Sequence, residues 1–586
     1  MRSPHLPLLP LSLLYSPAFG DFSGPSYPAP VDLSSSQSLV AASWKNVTST
    51  LQNYIYNDNQ STTSRTIADI KNLTFSLGMF SLNDPAAKIA NSPNGTHKVD
   101  EDSIYRIASI TKVFTVLAGL LNLKDTDWDR PLTDIFPTLA DFTQKNLGEE
   151  RLVYITQWDK ITPSALAAQI AGVTRDIIPF GVGDIALQIY PETFYPGLGL
   201  PAVNTSDPKI ITPCLLDLLV NGTTCTTVPY LESAELQAPT FEPWATPAYA
   251  DNGFVLLGLA ISSITGKTME QLYQDTIFSP LGMDSSNSST PPESEWYRAV
   301  IPGPITNFAL DAGVLVSTGG LLSTSRDIAR FGIGILNSSL LPSDQTRKWL
   351  KPVSQTARLQ YSVGRPWEII RYTHASGHVT DIYTKLGDSG TYSSWMVLLP
   401  DYKAGFSILS AGTTDNRASI RAAIMELVAD SILPALEAQA GIEAERNLCG
   451  TYTSTVPGLN SSLTLTYDKT ETAPPGLVVS SWISNSTDML TRLEAAIGSP
   501  PWRLLPSILD TKNGKAAFWL VSASDAPSQQ PPFGLFSGFE NQDWINVDSF
   551  TYGDIGVGSF VFNLGTDGKA TAVTLPAARI TLERAG

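Results

Sequence analysis

Histidine and cysteine are scarce in this 586-residue chain, which has four of the first and three of the second. His5 lies near the start, leaving His97, His374 and His378 for the rest. No two cysteines have the paired C-x-x-C spacing of a zinc site, and a His-rich metal centre needs more imidazoles than these. No metal and no organic cofactor is therefore expected. No apolar run reaches the roughly 18 residues that a membrane-spanning helix needs, so no membrane partner is expected. Positive charge is also short: 38 Lys and Arg stand against 55 Asp and Glu, a formal net charge of −17. Such a surface repels phosphate backbones and argues against a nucleic-acid partner. There is no internal repeat. The length exceeds what one hydrophobic core holds and points to two to four domains.

The first 20 residues read as a signal peptide. Arg2 supplies positive charge, Leu6 to Tyr15 is mostly apolar, and Ala18-Phe19-Gly20 puts small residues where a signal peptidase reads. The N-x-S/T pattern recurs at Asn46, Asn59, Asn72, Asn94, Asn204, Asn221, Asn287, Asn337, Asn460 and Asn485. Each is a weak signal alone; together they suit a secreted glycoprotein. Cys214 and Cys225 bracket a short segment and suit a disulfide in an oxidising compartment. Cys449 is left over, and a buried position is expected for it.

Periodicity sketches the elements. Val40, Trp44, Val47, Leu51 and Ile55 predict a helix over 34–57, and Thr74 to Leu82 predicts a strand. From Ser109 the sequence turns into a helix that is apolar on most of its circumference. Residues 125–245, rich in Pro, Gly and Thr, predict short helices and long loops. Helices are expected over 252–264 and 269–278. Ser394 to Leu399 and Gly405 to Ser410, joined by Pro400-Asp401-Tyr402-Lys403, predict a hairpin. A helix from Asn416 should stop at Leu433, before Pro434. After Arg446, strands are expected at 463–467, 476–483, 516–521, 544–552, 559–564 and 572–575. This gives a first domain over 30–440 and an all-β domain over 446–586.

Ser109-Ile110-Thr111-Lys112 is an S-x-x-K pattern at a helix start. Residues three apart share a helix face, so the ammonium reaches the hydroxyl. A lysine held in a dry site loses its proton more readily and serves as a base. The helix N-terminus adds positive potential and a free N–H where an oxyanion forms. A surface lysine is the bland alternative, but the flanking helix is apolar, and a buried lysine needs a partner or a function. Tyr249 precedes the helix starting near Asn252, and Lys385-Leu386-Gly387 lies just before the hairpin. Alone, each is nearly uninformative.

In combination, an S-x-x-K, a tyrosine motif and a K-x-G in this order resemble the serine β-lactamase and penicillin-binding protein superfamily. The likeness is greatest to the branch of class C β-lactamases, D-alanyl-D-alanine carboxypeptidases and esterases, and to its fungal secreted members. Arg106 to Lys112 looks like that family's nucleophile segment and Ala171-Gly172-Val173-Thr174-Arg175-Asp176 like its "SG-x-x-RD" region. Pro280-Leu281-Gly282-Met283 resembles "PLGM", and Gly319 to Asp327 resembles "GGL-x-ST-x-x-D". The resemblance implies a mixed antiparallel sheet flanked by helices, plus a helical subdomain, over about 35–435. The β-rich tail looks like the C-terminal domain of many fungal members. It also implies roles. Ser109 attacks a carbonyl and forms an acyl-enzyme, helped by Lys112. Tyr249, its pKa lowered by Lys112 and Lys385, is general base and acid. Lys385 orients a polar group of the substrate. The N–H groups of Ser109 and of Asp388, after Gly387, make the oxyanion hole.

One departure stands out. The family's second motif is tyrosine, any residue, asparagine; here Asp251 holds the third place and Asn252 follows. Either Asp251 takes the role or a local shift brings Asn252 in. If it is Asp251, its carboxylate is expected to pair with both lysines and raise their pKa values. Asp388 adds negative charge. These features favour a small neutral acyl substrate (an ester, thioester or amide) over a carboxylate-bearing lactam. A Ser-His-Asp hydrolase would need a G-x-S-x-G elbow, which Ser109 lacks. Two other readings keep the fold: an acyltransferase or thioesterase of fungal secondary metabolism, and a catalytically inactive binding homologue.

Overall fold

Val40, Trp44, Val47 and Leu51 are all buried along one side of α1, Leu39–Tyr56, as their three- and four-residue spacing predicts. The computed structural model describes residues 24–56, 69–84, 89–91, 98–146, 153–177, 212–217, 221, 223–497, 501–522 and 547–585. Two compact units emerge. One is Leu33–Arg371 with Asp381–Ile432; the other is Leu433–Gly586 with Tyr372–Thr380 and the N-terminal segment.

The first unit is built on an eight-stranded sheet. Its strands are β1 (Thr74–Ser81), β2 (Ile89–Asn91), β5 (Ser354–Gln355), β6 (Tyr361–Val363), β7 (Glu368–Thr373), β8 (Val379–Ser389), β9 (Tyr392–Leu399) and β10 (Ala404–Ala411), in the order β2-β1-β10-β9-β8-β7-β6-β5. The registered pairs, from β1 with β10 through β8 with β9, run antiparallel, as the expected antiparallel sheet requires. Strands β3 (Tyr105–Arg106) and β4 (Leu322–Ser323) form a separate small ladder. It ties the nucleophile segment to the Gly319–Asp327 stretch. The expected hairpin is present as β9 and β10. Its connection turns at Lys403, which adopts a left-handed φ of 49°.

Helix α2, Thr111–Asn122, runs through the middle of this unit with Val113, Phe114, Val116 and Leu117 buried. Phe114 stacks on Phe331 at 3.8 Å between centroids; Phe331 lies on α4, Ser325–Leu336. Helix α3, Asp251–Thr265, approaches the Val316–Gly319 turn so closely that a Cβ on Gly258 would lie 2.4 Å from the Ser317 side chain. The short helices of the expected helical subdomain, such as Pro137–Lys145, Pro163–Ala167 and Thr227–Glu235, occupy the stretch between α2 and α3. There Cys214 and Cys225 are joined in a disulfide.

The helix expected to stop before Pro434 does not. Helix α5 runs Arg417–Leu448 with the proline inside it. A proline in a helix interior costs about 3 kcal/mol. Against that, Ile420, Ile424, Val428, Ile432, Leu436, Ala440, Ala444 and Leu448, spaced by four across the proline, are all buried. Burying a continuous apolar stripe outweighs one missing hydrogen bond.

The second unit contains a closed antiparallel barrel. Its eight strands follow one another as 462–466, 450–453, 580–584, 570–575, 559–564, 515–522, 502–510 and 477–484, and the last pairs back with the first. Closure leaves no open edge. Inward residues alternate along the strands, and Tyr452, Phe518 and Phe562 meet edge to face inside. Strands at 450–453, 502–510 and 580–584 are additional to those expected. Of the strand expected at 544–552, residues 544–546 lie outside the described ones; among the rest Thr551–Tyr552 is strand, and Asp548, at a left-handed φ of 62°, interrupts the extended chain before it. Cys449, expected to be buried, is half-buried and unpaired with another cysteine; burial pushes its thiol up to about 12.

Candidate active site

Ser109 lies in the tight turn Ala108–Ile110 that leads straight into α2. Ala108, just before it, sits at φ 47°, a left-handed conformation that an alanine enters only at a cost of about 1 kcal/mol. The turn thus presents Ser109 in a strained backbone, a common property of reactive positions. One helical turn on, Lys112 is wholly buried. Its Nζ donates to Ser109 Oγ at 2.9 Å, to Asp251 Oδ1 at 2.5 Å and to the Thr318 carbonyl at 2.7 Å. Three acceptors match the three N–H bonds of an ammonium.

Tyr249 completes the triangle, with its hydroxyl 2.7 Å from Ser109 Oγ and 3.3 Å from Asp251 Oδ1. The Ala171–Asp176 region holds it there. Asn252 N–H donates to Arg175 O at 2.9 Å, and Gln169 binds Ala248 and Ala250 through its carbonyl and side chain. Gly172 is required in this loop: its φ is +69°, and a Cβ there would fall 2.1 Å from Phe241 O.

The choice between Asp251 and Asn252 is settled by the start of α3. Asp251 points into the site, gripped by Lys112 and by the Thr318 hydroxyl at 2.7 Å. Asn252 is turned away and accepts from the Tyr230 hydroxyl at 3.0 Å. Successive helical residues point about 100° apart, so a one-residue difference decides which of them faces Lys112.

The expected electrostatics need three corrections. Burial drives the Tyr249 phenol well above its usual value; Lys385 pulls the other way and loses. Tyr249 therefore keeps its proton instead of being acidified by the lysines. Lys112 is shifted down, as a lysine in a dry site should be, because burial outweighs the opposing charge of Asp251 that was expected to raise it. Asp251, despite burial, is held below the usual carboxyl range by Lys112. The expectation that Asp251 pairs with both lysines holds for Lys112 alone, for Lys385 binds Glu368. Asp388 is likewise engaged elsewhere: its carboxylate bonds Arg421 at 2.7 Å and the Ser393 hydroxyl.

Gly387 lies on β8 directly behind the nucleophile, where a Cβ would sit 2.8 Å from Ser109 N and 2.4 Å from Ile107 O. Lys385, two residues earlier, places its Nζ 5.2 Å from the centre of the Tyr249 ring. Three residues of the cluster escaped the sequence reading as site members. Glu368 arrives from the neighbouring strand, Thr318 from a turn 206 residues after Lys112, and Asp176, paired with Arg175, feels the charge of Asp251. Burial, then the Asp251 charge, push Asp176 up to about 6. Only Asp176 had a signal, the R-D pair of its motif. His374 and His378 stack on each other at 5.6 Å, and His374 bonds Thr380; the hydrogen-bond partners described for the Ser109 hydroxyl are Lys112 and Tyr249. Among the described residues no cluster of His, Cys, Asp and Glu could hold a metal ion.

A serine hydrogen-bonded to both a buried lysine and a tyrosine, with a sheet strand behind it, defines a serine hydrolase of the penicillin-recognising class. Comparison with known proteins agrees. Residues 84–429 match the family model described as "Beta-lactamase", and residues 440–586 match "Beta-lactamase-like-like, C-terminal domain". The chain belongs to the beta-lactamase family, and it is a hydrolase. A beta-lactamase-like protein of Arthroderma benhamiae is 33% identical over 448 residues, 74% of this chain and 69% of that one. A probable hydrolase of Cochliobolus lunatus is 26% identical over 539 residues, 85% and 82% of the two chains. Among solved structures, the octameric penicillin-binding protein homologue from Pyrococcus abyssi superposes with a TM-score of 0.46 at 15% identity, over 91% of this chain and 99% of its own.

Proposed function

We propose that this hydrolase transfers the acyl group of a small neutral ester, thioester or amide to Ser109 and then to water. The observation that carries this reading is the position of Ser109 Oγ between Lys112 Nζ, at 2.9 Å, and the Tyr249 hydroxyl, at 2.7 Å. In its neutral form Lys112 takes the Ser109 proton as Oγ bonds the acyl carbon. The carbonyl electron pair moves onto oxygen, facing the N–H groups of Ser109 and Asp388. Collapse expels the alcohol, thiol or amine, which receives its proton from Lys112, relayed through the Tyr249 hydroxyl. Water then attacks the acyl-enzyme by the same steps and releases the acid. Lys385, joined to Glu368, supports a neutral substrate over a carboxylate-bearing one.

The test is a fluorophosphonate probe followed by peptide mass spectrometry, with turnover of p-nitrophenyl butyrate and of nitrocefin alongside. The label is expected on Ser109, with the ester hydrolysed faster than the lactam. A label on another residue, or none, overturns the reading.

We also propose that the protein is secreted and N-glycosylated. Asn46, Asn72, Asn221, Asn337, Asn460 and Asn485 are exposed and Asn287 is half-buried, while Asn59, Asn94 and Asn204 lie outside the described residues, as does the signal segment. The Cys214–Cys225 disulfide suits an oxidising compartment. Protein recovered from culture medium should lose mass on treatment with peptide-N-glycosidase. An unchanged mass, with the protein retained in cells, would rule this out.

A further inference from the structure

The cluster holds three cations, and each has a carboxylate of its own. Lys112 is paired with Asp251, Lys385 with Glu368, and Arg175 with Asp176. The second pair differs from the others in its surroundings. The Lys385 side chain is 1% exposed, whereas that of Glu368 is 32% exposed, so the glutamate is the member of this pair that meets solvent.

Glu368 is held at both ends. One carboxylate oxygen accepts from Lys385 Nζ, and the other accepts from the Leu386 N–H at 2.9 Å. Its backbone carbonyl accepts from the Thr384 hydroxyl at 2.8 Å. This clasp across β7 and β8 fixes the carboxylate beside the K-x-G segment. Lys385 donates its second N–H to Leu386 O at 2.9 Å, and its Nζ stands 5.2 Å from the centre of the Tyr249 ring. The ammonium beside the Tyr249 ring is thus already matched by an internal carboxylate. Leu386 itself brings no side-chain donor.

We propose that Glu368 is a specificity-determining residue: it occupies Lys385 as a built-in counter-ion and so excludes acyl substrates that carry their own carboxylate. The inference rests on the acyl-hydrolase reading given above and names what sets its substrate class. A substrate carboxylate approaching Lys385 meets a fixed negative charge, and like charges brought together in a partly dry site disfavour binding strongly. Displacing Glu368 would also leave the Leu386 N–H without its acceptor.

The test compares p-nitrophenyl butyrate with mono-p-nitrophenyl succinate, whose acyl chain has the same length but ends in a carboxylate. The wild-type protein is expected to favour the butyrate. Glu368→Gln keeps an acceptor for the Leu386 N–H and removes the charge. It should shift the ratio of kcat/KM values at least tenfold towards the succinate. Glu368→Ala should shift it in the same direction, which covers the case in which the glutamine variant folds poorly. A ratio within twofold of wild type in a folded variant overturns the inference while leaving the hydrolase reading intact. Failure of the wild type to label at Ser109 or to cleave the butyrate sinks that reading, and the inference with it.

Discussion

Replacing Lys112 with methionine is expected to slow fluorophosphonate labelling and ester turnover by about 10²–10⁴-fold, the range a positioned general base contributes. The assignment of the base follows from which group gives up a proton. Tyr249 is pushed up by burial and keeps its proton; Lys112 is pushed down by burial and gives its proton up more readily than an ordinary lysine. The neutral amine is the active form and lies above the pKa of Lys112. Labelling of the wild type should therefore rise with pH and level off below the usual lysine value of 10.5. In the methionine variant that rise should vanish. The single variant has a second consequence, because it leaves Asp251 buried without its cation. Breaking a buried pair on one side costs about 3–5 kcal/mol. The double variant Lys112→Met, Asp251→Asn removes the orphaned charge. It should recover most of the melting temperature and none of the activity. A double variant that labels at the wild-type rate would return the base to Tyr249.

The parts of this site that were legible in the sequence are the parts held together by local geometry. Ser109 and Lys112 sit three residues apart on one helix, and an apolar helix around a lysine is itself a signal. Tyr249 and the K-x-G were legible as an ordered set. What escaped depends on chain segments that meet only in the folded molecule. Glu368 reaches Lys385 because β7 lies beside β8, and no local pattern marks that encounter. The carbonyl of Thr318 is a backbone group, which leaves no trace in residue identity. The direction of the Tyr249 shift was misjudged, and the effect of Asp251 on Lys112 overweighted, because neighbouring charges are plain in a sequence, whereas how far burial outweighs them is not. The fold followed the same divide. The alternating strands at 559–564 and 515–522 were readable, whereas α5 passes through Pro434 because of burial along its whole length.

Gly387→Ala is expected to lower kcat about 10²–10³-fold, the loss that follows removal of one oxyanion donor. The backbone of Gly387 does not need the left-handed freedom of glycine; what the site needs is the absent Cβ. An added methyl would lie 2.4 Å from Ile107 O, 2.7 Å from Ser394 Oγ and 2.8 Å from Ser109 N. The two backbone contacts belong to the turn that presents the nucleophile, so either β8 or that turn must move. Ser394 cannot simply swing aside, because its hydroxyl donates to Ile107 O at 2.7 Å and fastens β9 to the same turn. Movement separates the N–H of Ser109 from that of Asp388 and spoils the geometry for a developing oxyanion. An interaction made only in the transition state lowers kcat and leaves KM nearly unchanged, and that split is the measurement that checks the claim. A rise in KM at unchanged kcat would instead mean that the strand shapes ground-state binding alone. Overpacking of this kind costs about 1–3 kcal/mol of stability, so a melting curve should accompany the kinetics. The tripeptide Lys385-Leu386-Gly387 says little as a pattern. Its glycine acquires meaning from the backbone of Ser109 lying against it, which is a property of the sheet and the turn together.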